Sequence, residues 1–87
     1  MAERTARASI NKGKNQPMDN CCFDIMTQAE KKADFLYRAA DTYIQDAQAA
    51  NRPELAHIWN TIKQDEQRHL DMLKQELARD VQEGRLR

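Results

Sequence analysis

Glycine and proline are scarce in this 87-residue chain, at two residues each. That leaves few places for tight turns and is the composition of long helices. Long apolar runs are missing as well. The longest is only a few residues, far below the roughly 18–20 needed to span a bilayer, and no basic start leads into an apolar segment. The reading is a soluble, cytoplasmic chain with no membrane partner and no export signal. Cysteine is confined to the adjacent pair Cys21 and Cys22, which makes neither a disulfide framework nor the spacing of a zinc site. This points to a reducing compartment and an incidental pair. An excess of either charge is absent too. Fourteen lysines and arginines balance fourteen aspartates and glutamates, whereas a nucleic-acid binder gathers a basic excess on one face. Nucleic acid is therefore excluded as a partner. No nucleophile elbow or glycine-rich phosphate loop occurs.

What remains is one domain at most, since few chains of this length hold two cores. Residues 1–19 carry Arg4, Arg7, Lys12 and Lys14 against Glu3 and Asp19, and have few large apolar residues, among them Ile10 and Met18. They read as a flexible or short-helical N-terminal arm. From Asp19 or Asn20, either able to cap, a helical pattern runs to about residue 50 without glycine or proline. Its apolar stripe is Met26, Ala29, Ala33, Leu36, Ala40, Tyr43 and Ala47, in steps of three and four. Pro53 suits the first turn of a second helix, where its missing N–H costs nothing, and Gly84 stops that helix after about residue 82. So short a connection makes the helices antiparallel neighbours, and residues 20–84 are read as a helical hairpin. A lone hairpin leaves Phe35, Leu70 and Met72 wet. A chain this small is also marginal without partners, so these three residues are read as contacts for a second hairpin, and the fold class is an all-α hairpin that dimerises into a four-helix bundle.

The second helix carries the chemistry. Its apolar row reads Leu55, Trp59, Ile62, Glu66, His69, Leu73 and Leu77, so two polar residues occupy core positions. A carboxylate buried alone is costly and asks for a cation, a metal or a network. Glu66-x-x-His69 places a carboxylate and an imidazole on one face one turn apart, a donor set that suits a first-row metal. On the first helix Glu30 borders the Ala29–Ala33 stripe, as either a ligand or a rim salt-bridge partner, and Asp34, one turn on, points further outward and is the alternative ligand in place of Glu30. A simple fold about the turn brings Glu66 level with Asp34 or Leu36. His57 lies on the far side of helix two and reads as solvated. Tyr37 and Trp59 read as core aromatics within two turns of the proposed metal, and Lys63, Asp71, Lys74 and Asp80 as a wet face.

Glu30-x-x-Ala33-x-x-x-Tyr37 followed by Asp65-Glu66-Gln67-Arg68-His69 resembles half of a ferritin-like or rubrerythrin-like four-helix domain. In those proteins the glutamate and the Glu-x-x-His recur within one chain. A single copy is similar to the encapsulated ferritins, two-helix proteins that complete the site at a dimer interface inside an encapsulin shell. The resemblance implies a ferroxidase, oxidising Fe(II) to Fe(III) at a di-iron centre shared between two subunits. It further implies Glu66 bridging the metals, Glu30 and His69 as terminal ligands, a homodimer or higher homo-oligomer, and an encapsulin nanocompartment as container for stored iron. Two alternatives stand beside it. One is a metal-free helical assembly module in which Glu66 and His69 pair with each other or with Arg68 and Lys63. The other is a rubrerythrin-like peroxidase.

Overall fold

The computed structural model describes residues 17–85, so the N-terminal arm lies outside the described residues except for its last three positions. Among the described residues the chain is all-α, with no strand. Helix α1 spans Asn20–Arg38, α2 Ala40–Ala49 and α3 Pro53–Gln82. The first two are halves of one bent helix, where the sequence suggested a single uninterrupted one.

The bend sits at Ala39, whose φ of −122° departs from helical values. Hydrogen bonding nevertheless runs through it, from the Ala39 N–H to the Phe35 carbonyl and from the Tyr43 N–H to the Ala39 carbonyl. No glycine or proline causes it. Packing against α3 does: fully buried Ala40 lets the backbones approach closely, and Tyr43 is drawn between Phe35, at 6.1 Å between ring centroids, and Trp59, at 4.9 Å.

Both long elements end in the same device. Asn51, at φ 61°, takes the left-handed conformation; its N–H bonds the Gln48 carbonyl, and the Arg52 N–H bonds that of Ala47. Gly84, at φ 75°, repeats the pattern, with its own N–H to Val81 and the Arg85 N–H to Asp80. These are Schellman closures, which satisfy carbonyls left without helical partners and need a residue tolerant of positive φ. Pro53 opens α3 immediately after the first of them.

The contacts between the bent helix and α3 pair early residues of one with late residues of the other. Tyr43 lies against Trp59, Lys63 Nζ reaches Asp41 Oδ1 at 2.8 Å, and Lys32 reaches Glu66. Lys63 thus bridges the two helices instead of belonging to the wet face. Asp80 is likewise not wet. It is buried, and it accepts a hydrogen bond from the thiol of Cys22, which is fully covered.

The buried apolar residues are small: Cys22, Ala40, Ala47 and Ala56. Large ones stay open to solvent, including Phe23 (57% exposed), Ile58 (52%) and Met72 (55%). Phe35 and Leu70 are half-covered, the first by Tyr43 and the second in a groove beside Leu36. One chain therefore brings two helices together over small buried residues and leaves several large apolar side chains partly wet, a pattern found on surfaces that take a partner.

Burial separates the adjacent cysteines chemically. Desolvation first, then the negative field of Asp80 and Asp19, raises the Cys22 thiol above its ordinary value of 9.0, so it stays protonated and unreactive. Cys21 is exposed. Mass spectrometry after brief alkylation of the native protein at neutral pH is expected to find one modification, on Cys21, with Cys22 labelled only after denaturation. Equal labelling of both would contradict the packing at this end of the helices.

Candidate functional site

Glu66 and His69 occupy the middle of α3, where steps of four and three from Ile62 keep all three in one row along the helix. His69 Nδ1 lies 3.0 Å from Glu66 Oε1. An ionised carboxylate only accepts, so the shared hydrogen is on Nδ1, which turns Nε2 away from Glu66. The other carboxylate oxygen, Oε2, is 3.5 Å from Lys32 Nζ across the helix interface. The side chains of Lys32 and Glu66 are only 22% and 23% exposed.

The electrostatics follow from these contacts. The His69 hydrogen bond is the largest cause and, with Lys32, outweighs desolvation to hold the Glu66 carboxyl below its ordinary value of 4.5. The folded-state value is depressed. The stability it contributes is therefore present above pH 4.5 and is lost as pH falls through the lowered folded value. Thermal melts between about pH 3 and pH 6 are expected to show this loss in the native chain and a smaller one in His69→Ala, which removes the dominant cause. Parallel curves for the two would contradict the assignment.

Glu30 does not join this pair within one chain. It is exposed and lines a shallow groove with Ala33, Asp34, Tyr37 and Arg38, and Asp34 is ion-paired to Arg38. At about 100° per residue Glu30 lies roughly 160° around α1 from Lys32, so the two flank opposite sides of the face that meets α3. Tyr37 is 90% exposed on the Glu30 side, in an open groove of about 490 Å³ with Ala33, Leu36, Gln67, Leu70 and Asp71. Trp59 is half-buried against Tyr43, and His57 is exposed, its carbonyl accepting a bond from Thr61 Oγ1. Arg68 pairs with Asp65, not with Glu66.

Lys32 is the member of the cluster that sequence reasoning missed. Its signal was present: it stands three residues after Ala29 and four before Leu36, which puts it at the edge of the apolar stripe. Among the described residues no three histidine, cysteine, aspartate or glutamate side chains gather closely enough to hold a metal ion. The carboxylate and imidazole of one chain are of a kind that first-row metals take, and they number two. Glu66 offers a carboxylate held ionised and His69 an imidazole.

No protein-family model, curated protein or solved structure matches the chain. No helix among the described residues is long and apolar enough to cross a membrane.

Proposed function

We propose that the chain is a ferritin-like antiparallel hairpin whose two copies close into a four-helix bundle, and that it acts there as a ferroxidase. Fe(II) is the substrate, and its oxidation to Fe(III) passes one electron per iron to dioxygen or peroxide. The observation that carries the reading is the Glu66–His69 pair, a carboxylate held ionised and an imidazole set in the apolar row of α3. Two copies supply two of each. Glu30, on the opposite side of its own chain, enters as the terminal carboxylate brought by the other copy. Wet Phe23, Ile58 and Met72 supply the reason for a second copy. Burial on assembly strips water from Glu66 and His69 and narrows the range of geometries in which they meet substrate iron. A dimer encloses no storage cavity, so mineral storage would fall to a separate cytoplasmic container of the encapsulin kind.

Rapid-mixing measurement of Fe(II) oxidation, with light scattering of metal-free and Fe(II)-loaded protein, tests the proposal. Metal bound only by the assembled form pulls the equilibrium toward it. Fast oxidation with a mass that rises on loading, or that is dimeric throughout, is expected; full loading of a stable monomer would exclude a shared site.

One observation favours a second reading. Lys32 already satisfies Glu66, and buried polar contacts of this sort fix register in helical bundles, which is what a metal-free assembly module needs. In that case Fe(II) alters neither mass nor melting temperature. The peroxidase alternative has no residue in the described chain that sets it apart from the ferroxidase.

A further inference from the structure

Both oxygens of Glu66 are taken, one by the His69 N–H and the other by the Lys32 ammonium. Lys32 comes from the facing helix and is mostly covered, so this pair is less screened than the exposed pairs on the outside of α3, such as Lys74 with Asp71 and Arg79 with Glu76. The nearby cations on α3 are engaged elsewhere, Lys63 with Asp41 and Arg68 with Asp65. Lys32 is thus the cation poised on this carboxylate.

We infer that Lys32 is a resident counter-cation of the site: it neutralises Glu66 while no metal is bound and gives up that carboxylate when a divalent cation arrives. The inference rests on reading Glu66 and His69 as a metal half-site. Two copies meeting through this face bring two Glu66 carboxylates together, and like charges repel in a desolvated interface. One Lys32 per Glu66 cancels that charge and lets the metal-free bundle assemble. Once divalent ions occupy the carboxylates, the two ammonium groups become surplus positive charge beside them. Metal and Lys32 therefore compete for Glu66, and metal affinity is set below what the ligands alone would give.

The test is calorimetric titration of the full chain with Mn(II), an air-stable divalent probe, paired with thermal melts of the metal-free protein. Lys32→Met and Lys32→Gln are expected to bind Mn(II) about fivefold or more tightly than the native chain, the competition lost with one partly buried ion pair. Both should melt at lower temperature without metal and recover on adding it. Lys32→Arg keeps the charge and should stay within about twofold of the native affinity. Circular dichroism confirms that each variant is folded, and the Gln variant covers the case in which Met disturbs packing. Unchanged affinity in the folded Met and Gln variants overturns the competition and leaves the metal site standing. Weaker binding in both overturns it as well, since Lys32 would then support the ligands. Absence of Mn(II) binding in the native chain and in both variants overturns the metal reading, and this inference with it.

Discussion

Replacing Glu66 with alanine is expected to slow Fe(II) oxidation by at least about a hundredfold while leaving the helical signal intact. Loss of an outer partner of a ligand already costs about 10–100-fold, and loss of the ligand itself costs no less. His69→Ala should do the same, whereas His57→Ala, exposed on another face of α3, should match the native chain. The Glu66 substitution also bears on stability. Glu66→Ala strands the mostly covered Lys32 ammonium without its carboxylate, so melting should fall by about 4–8 °C, the shift expected for about 1 kcal/mol in a domain of this size. An unchanged oxidation rate in either ligand variant would remove Glu66 and His69 from the chemistry, and wholesale loss of the oligomer with no dependence on iron would favour the assembly module.

Ile62→Glu should be as damaging without touching a ligand. Ile62 stands one turn before Glu66 in the same row, and exposed Ile58 stands one turn before that. In a two-fold assembly each substitution is felt twice, so one glutamate places two uncompensated carboxylates at the interface. The mass by sedimentation is expected to fall to that of one chain, and oxidation should disappear although Glu66 and His69 are intact. Val81→Glu is the control: Val81 is similarly exposed but lies at the far end of α3, and its substitution should leave mass and rate alone. A dimer that survives Ile62→Glu with full activity would place the interface on another face.

Much of the helical layout was legible because its signals are local. Pro53 and Gly84 mark the ends of α3 in the sequence and in the fold, and Asn51 before Pro53 closes the first helix in a conformation asparagine tolerates. The bend at Ala39 was not legible. Alanine is the best helix former, and what bends the chain there is the packing of Tyr43 between Phe35 and Trp59, residues eight and sixteen positions away. The pairing of Glu66 with His69 follows from helical spacing alone. Lys32 was harder to place because it is a charged residue at the edge of an apolar row, where only the facing helix decides whether it is covered; Cys22 and Asp80 carried a legible signal, since Cys22 extends the stripe by a step of four before Met26 and Asp80 extends the row by a step of three after Leu77. Glu30 marks the limit of the periodicity: bordering the stripe does not say which side of the interface a side chain takes, and in one chain it takes the side away from Glu66.

Iron held between two copies of Glu66 and His69 is tested most directly by anomalous scattering at the iron absorption edge from iron-soaked crystals. Two peaks about 3.5 Å apart, a separation typical of two-metal sites, are expected between the Glu66 residues of two chains, with His69 of each as a ligand and Lys32 withdrawn. An interface without iron, or iron found only on exposed carboxylates of single chains, would contradict it.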